Sequence, residues 1–298
     1  MQAMLLQDMF LRSRRFSLRV GLFLPILTIA NTASYLNAQE PINADSATQP
    51  SPGHFILKEQ FRFISLDFDH GPQADRGQTR DYQLLTTINY GLTKDWSLSL
   101  RTPVISRRRS FDLGDRVDRE QGVGDVTMLA KWRFYQNDHG PLDTTRIAAL
   151  GGAEIRTGDN PFTNDAYNPV VGVAATHING RHGLNGSLQY TFTTNGVDEP
   201  TYAGMSTADV LRYNGAYLYR LHPAAFDENT SGGAWYALLE LNGTYETNGD
   251  NEVLLSPGVM YEASAWTLEL SLQLPAWRDV SNRPETEYAL IVGLRFAF

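Results

Sequence analysis

Residues 96 to 104 read Trp96-Ser97-Leu98-Ser99-Leu100-Arg101-Thr102-Pro103-Val104. Trp96, Leu98, Leu100, Thr102 and Val104 share one parity, and Ser97, Ser99, Arg101 and Pro103 take the other. That is the period of two of an extended strand, not the 3.6 of a helix. The same alternation recurs at Val126, Met128, Ala130, Trp132 and Phe134 against Asp125, Thr127, Lys131 and Arg133. It recurs again at Leu184, Leu188, Tyr190 and Phe192 against Asn185, Ser187, Gln189 and Thr191. From Phe55 onward about twelve such segments of ~8–13 residues follow one another, each long enough for a tilted strand to cross a bilayer. Their centres fall near Phe63, Leu85, Leu100, Ala130, Gly151, Val173, Leu188, Gly215, Leu241, Pro257, Leu270 and Val292.

The connections alternate in length. Short turns such as Gly91 to Asp95, Asn179 to Gly183 and Ala263 to Ala265 face one side, and longer polar loops at 68–80, 106–122 and 195–208 face the other. The connection 222–233 is long for its side, and 248–251 is short for its own. Trp96, Trp132, Trp235 and Trp266 all adjoin the short-turn side, where an interfacial aromatic girdle lies in outer-membrane barrels, and Trp277 belongs to the opposite rim. The run Tyr288, Leu290, Val292, Leu294, Phe296 and Phe298 ends on an aromatic residue, which makes Phe296 and Phe298 the expected signal for the barrel-assembly machinery. A soluble sandwich would alternate too, but would not combine these turns, girdle and even strand number. The expected fold is all-β, a closed antiparallel transmembrane β-barrel of about twelve strands in meander order.

Arg12, Arg14, Arg15 and Arg19 precede an apolar run from Val20 to Ala30, and Leu36-Asn37-Ala38 supplies a cleavage site, so residues 1–38 read as a signal peptide. The apolar run is too short for a spanning helix, which needs about 20 residues. Ser13-Arg14-Arg15-Phe16 reads as an ordinary basic start. Gln39 to Gly53 is rich in Pro, Ser, Thr and Asn, too polar to build a core, and reads as a periplasmic tether before a barrel over 54–298. The 298 residues carry 25 Lys and Arg against 33 Asp and Glu. Removal of 1–38 takes four arginines and Asp8, leaving 21 against 32. An acidic chain without a basic face is not a nucleic-acid binder. The absence of Cys excludes a disulfide framework and thiolate chemistry.

Several runs resemble the outer-membrane barrel family named for the MetA pathway of phenol degradation, whose members are found beside aromatic-degradation genes. They are Tyr90-Gly91-Leu92-Thr93-Lys94-Asp95-Trp96 leading to Pro103-Val104, Gly122-Val123-Gly124-Asp125 leading to Lys131-Trp132-Arg133-Phe134, Thr157-Gly158-Asp159, Leu255-Ser256-Pro257-Gly258 and Leu274-Pro275. Arg156 replaces the proline that often precedes Thr-Gly-Asp in such chains. The resemblance implies a role in uptake of small aromatic compounds, and it carries no catalytic residue.

With the apolar parity facing lipid, the lumen side holds Arg101, Asp125, Lys131, Arg133, Glu154, Arg156, Arg212, Arg220, Glu240, Glu262, Glu269 and Arg295. Both signs in a narrow barrel call for interstrand pairing, which either lines a pore or fills it. Arg107-Arg108-Arg109 is expected in an outer loop, within reach of lipid phosphates. Asp159, Asn160, Asn164 and Asp165 match no cation loop and read as turn formers, so no metal is expected. None of His54, His70, His139, His177, His182 and His222 is followed two residues later by Ser, no G-x-S-x-G elbow occurs, and phosphate-loop and dinucleotide fingerprints are missing. The expectation is therefore not an enzyme, and no cofactor. It is an outer-membrane channel of a Gram-negative-type bacterium, set in outer-membrane lipid, passing small aromatic or anionic solutes by passive diffusion. The alternatives are a non-conducting structural or adhesion barrel and, behind it, an outer-membrane hydrolase.

Overall fold

The computed structural model describes residues 39–68, 77–112, 116–140, 142–226 and 233–298. The expected signal peptide, His70, most of the 68–80 loop and part of the 222–233 connection lie outside them. The described residues form strands β1 (Phe55–Phe68), β2 (Gly77–Gly91), β3 (Trp96–Phe111), β4 (Val117–Val123), β5 (Val126–Gly140), β6 (Asp143–Ile155), β7 (Asn168–Asn179), β8 (His182–Thr191), β9 (Val210–His222), β10 (Ala234–Glu246), β11 (Asn251–Glu262), β12 (Trp266–Asp279) and β13 (Glu285–Ala297). Each pairs antiparallel with its neighbour, and β1 pairs with β13 as well as with β2, so the sheet closes on itself. Phe55 and Phe298 complete the seam with reciprocal backbone bonds of 3.1 and 2.9 Å.

Thirteen strands make twelve staves, because β4 and β5 share one partner. Val104 to Ser110 of β3 pair with β4, and Trp96 to Arg101 pair with β5. The break at Gly124 and Asp125 lies beside Pro103, which has no N–H to donate to a ladder. Pro103 still accepts a bond from the Gly124 amide at 2.9 Å. All twelve centres read from the sequence fall in separate staves. The stretch 106–122 departs from its expected loop: β3 runs on to Phe111 and β4 begins at Val117, as a hairpin standing beyond the lipid-facing band. Both of its faces are polar there, so the alternation that marks a strand disappears from the sequence while the ladder continues.

The barrel is inside out relative to a soluble protein. Leu239 is 47% exposed while its neighbour Glu240 is 1% exposed, and Leu268 and Glu269 repeat the contrast at 41% and 0%. Apolar side chains can face outward in this way only where the outer solvent is lipid. At the short-turn end Trp96 stacks on Trp132 with ring centroids 5.9 Å apart, and Tyr261 lies 4.9 Å from Trp235 and 5.4 Å from Trp266. Trp277 stands at the other rim.

The segment 39–53 is not a free tether. From Gln39 to Pro50 its residues are buried or half-buried against the inward faces of strands around the barrel, and only Ser51 to Gly53 are exposed. A segment too polar to make a core of its own is ordered here because a preformed wall of polar side chains satisfies its backbone.

Candidate functional site: a lumen occupied at both ends

The strap 39–50 lies in the turn-side half of the lumen. Its sharpest attachment is Glu240 of β10, whose carboxylate accepts the backbone N–H groups of Ile42 at 2.6 Å, Asn43 at 3.0 Å and Ala44 at 3.1 Å. The Ile42 carbonyl accepts from Lys58 at 2.7 Å and Gln60 at 2.9 Å on β1. The Ile42 side chain sits in an apolar patch with Leu218, Tyr236, Leu238, Met260 and Ile291. Carboxylates of the strap meet cations of the wall: Glu40 pairs with Arg295 at 2.7 Å, and Asp45 pairs with Arg101 and accepts from Gln189. Lys131 donates to the carbonyls of Ser46 at 2.7 Å and Thr48 at 2.9 Å. Burial pushes the Asp45 carboxyl up, but the nearby charges of Arg101 and Lys131 outweigh it and hold the group below its ordinary value of 3.8. Two glycines make room for the strap. A Cβ on Gly258 would come within 2.5 Å of Leu238 and 3.2 Å of Ile42, and one on Gly91 would lie 2.2 Å from the Ser51 carbonyl oxygen, where the strap leaves the lumen.

Between the strap and the wall of β1, β2, β3 and β5 remains a cavity of about 110 Å³. Lys58, Arg62, Arg101 and Lys131 line it from the wall, opposed by Glu40 and Asp45 of the strap.

At the long-loop end the β8–β9 connection crosses to the opposite side of the barrel. Thr201 binds β3 and Tyr202 binds β2, four and five staves from β8 in the closed sheet. Arg107 holds Asp81 at 3.0 and 2.8 Å and donates to Thr201 at 2.9 Å. Tyr202 donates to Asp81 and accepts from Gln83 at 2.7 Å. The Arg107 guanidinium lies 5.0 Å from the Phe162 ring centre and 5.4 Å from that of Tyr202. Burial, with the Asp81 carboxylate second, pushes the Tyr202 hydroxyl well above its usual range. Arg109 reaches Glu199 at 3.4 Å, and Glu246 near the same rim holds Arg283 at 2.7 Å.

The residues expected on the lumen side divide into groups. Arg101, Lys131, Glu240 and Arg295 hold the strap directly, and Glu269 bonds Arg295 and Lys58, the latter at 3.5 Å. Arg212 and Glu154 face each other at 3.9 Å, and Glu154 accepts from Asn168 at 3.2 Å. Arg220 is buried 4.4 Å from the Phe226 ring centre, and Glu262 lies at the turn-side end of β11 opposite Ala234. Arg133 sits at the turn rim, donating to the Lys94 carbonyl. Asp125 and Arg156 stand apart from the strap, Arg156 in an exposed pair with Asp165. Asp81, Arg107, Glu246 and the strap's own carboxylates were not singled out from the sequence for the lumen. The only signal was that Asp81 and Arg107 lie on the inward parity of long strands.

A family described as "Putative MetA-pathway of phenol degradation" matches residues 82–291. The chain belongs to this family. Its fold is similar to that of an outer membrane channel from Pseudomonas putida F1, at 13% identity over 87% of this chain and 100% of that one, with a TM-score of 0.58. It also matches the CymD monoaromatic hydrocarbon channel, at 8% identity over 83% and 89% of the two chains and a TM-score of 0.42. The β domain of the Bordetella autotransporter BrkA matches at 14% identity over 83% and 100%, with a TM-score of 0.47. No curated protein matches the sequence. The MetA-family chain thus shares the fold of an outer-membrane β-barrel.

In this MetA-family barrel two of the motif runs clasp one another. The Asp125 carboxylate accepts the amides of Thr157 at 3.0 Å and Gly158 at 2.9 Å and the hydroxyl of Thr163 at 2.9 Å, while Asp159 accepts the Val123 amide at 3.0 Å. The break between β4 and β5 is therefore tied to the β6–β7 connection. That connection carries Phe162 to the face of Arg107.

Proposed function

We propose that this protein is an outer-membrane channel that passes small anionic or aromatic solutes by passive diffusion, with no catalytic step. The observation that carries this reading is the wall of Lys58, Arg62, Arg101 and Lys131 around the cavity, with Arg295 beside it. These cations already bind carboxylates, because the strap supplies Glu40 and Asp45 to Arg295 and Arg101. A solute carboxylate would meet donors that replace its hydration, whereas a neutral hydrocarbon would meet only the cost of desolvating those charges. A solute crossing the turn-side half of the lumen meets the strap, which narrows it to the cavity along β1, β2, β3 and β5.

Planar-bilayer conductance and liposome uptake of the purified barrel test the proposal. The expected result is a small conductance that rises when residues 39–50 are deleted, with benzoate entering faster than toluene. A second reading, a non-conducting structural barrel, draws support from the same strap and from the loop across the other mouth. Absence of conductance in both forms would establish it. We also propose Phe296 and Phe298, whose rings lie 6.5 Å apart, as the assembly signal. Deletion of Phe298 is expected to lower membrane levels while export continues.

A further inference from the structure

Arg107, Arg108 and Arg109 are consecutive, yet the strand sends them to opposite faces. Arg107 and Arg109 point inward to Asp81 and Glu199, and Arg108 points out. The register places Arg108 directly opposite Arg80 of β2 and directly opposite Arg119 of β4. Three exposed arginines on three adjacent strands therefore form one row across the outer surface.

Directly opposed side chains on one sheet face have Cβ atoms about 4.5–5.5 Å apart, and like charges so placed repel. Among the described residues no ion pair neutralises this row. Among the described residues neither Arg108 nor Arg119 makes an ion pair or a side-chain hydrogen bond. Arg80 donates only to the neutral Gln78, at 2.9 Å. Glu287, which shares Gln78 with Arg80, bonds Ser65 at 2.6 Å and Gln78 at 2.7 Å and pairs with none of the three arginines. The height of the row is also informative. Tyr82 and Val104, exposed at 45% and 48%, lie on the same outward parity two and four residues nearer the turn end, at the upper edge of the apolar band. At about 3.4 Å per residue along strands tilted ~40°, the row stands ~5 Å above Tyr82, beyond the apolar band and at the level of polar headgroups rather than acyl chains. Long loops mark this end as the extracellular one.

We infer that Arg80, Arg108 and Arg119 form a surface site for the phosphate groups of lipopolysaccharide in the outer leaflet. The planar guanidinium fork matches phosphate oxygens two at a time, and a phosphate between two opposed arginines turns their repulsion into attraction. The site is independent of the lumen and of whatever passes through it.

The test measures binding of lipopolysaccharide, of enzymatically dephosphorylated lipopolysaccharide and of inorganic phosphate to the detergent-folded barrel. Native protein is expected to bind the phosphorylated lipid about tenfold or more tightly than the dephosphorylated one. The Arg80→Gln/Arg108→Gln/Arg119→Gln variant is expected to lose that preference while keeping heat-modifiable mobility on gels. Arg108→Lys, which keeps charge but not the fork, should fall between. If the triple variant does not fold, Arg108→Gln and Arg119→Gln are read singly, and each should lose part of the preference. Equal binding of the two lipids by native protein, or binding by the folded variants within twofold of native, overturns the site. Displacement of lipopolysaccharide by low millimolar inorganic phosphate overturns the lipid as its source.

Discussion

The strap at the turn end and the β8–β9 loop at the outer mouth both occupy the lumen, but they are held in different ways. The strap spreads its attachments over β1, β3, β5, β7, β8, β10 and β13, through hydrogen bonds to buried and partly buried groups. The loop is also bonded to Asn164, Asn168, Arg212 and Glu246, but its buried ionic hold is a single pair, where the Arg107 and Asp81 side chains are 1% and 0% exposed. Many moderate contacts can be released one after another, so a strap of this kind can leave in steps. A buried ion pair resists until a partner is lost and then fails at once. The Arg107–Asp81 pair is therefore the most vulnerable single point under the loop, whereas the strap shares its hold among several anchors.

The largest effect should come from the loop. Arg107→Ala leaves Asp81 buried without its counter-charge, which costs about 3–5 kcal/mol. It should expose the 193–209 loop to limited proteolysis and lower the urea midpoint. Because the damage comes from the orphaned charge, Arg107→Ala/Asp81→Ala should be less destabilised than Arg107→Ala alone. A double variant at least as unstable as the single would show that the pair is not what secures the mouth.

A smaller effect is expected at Glu240, where one carboxylate serves three strap amides. Glu240→Ala should weaken strap docking by about 1–3 kcal/mol. The described residues contain no cysteine, so an Asn43→Cys thiol can report on the strap alone. Its labelling by a water-soluble maleimide should accelerate about 5- to 150-fold in the Glu240→Ala background. Unchanged labelling would mean that the strap is held elsewhere.

The smallest effect is a pH dependence. Because the docked Asp45 has its pKa held below 3.8, its attachment to Arg101 is fully present above that value and is lost as the pH falls through the lowered one. The Asp45-dependent part of the conductance should rise as the pH falls below about 3.8. Asp45→Asn should remove this rise and leave the strap looser at every pH. Asp45 is 17% exposed and its pair is screened, so the change should stay within about 1 kcal/mol. A rise that persists unchanged in Asp45→Asn would assign the titration to another carboxylate.

The run from Trp96 to Val104 already contained the barrel. Side-chain alternation is a property of neighbours two residues apart, so the twelve staves, their lipid and lumen faces, and the tryptophan rim were legible in the chain itself. The sequence also separated Glu240, Glu269 and Arg295 from the lipid, since a charge on the apolar parity would not survive there. It could not reveal what those charges hold. Ile42 and Glu240 are 198 residues apart, and only closure of the sheet brings a polar segment with no pattern of its own against a wall that satisfies it. The same closure divides Arg107 from Arg108. Local alternation says that their side chains point opposite ways, but the register of three strands sets one against Asp81 and aligns the other with Arg80 and Arg119. Period-two patterning is local and one-dimensional, whereas strap docking and cross-strand register depend on which distant residues the closed barrel places side by side.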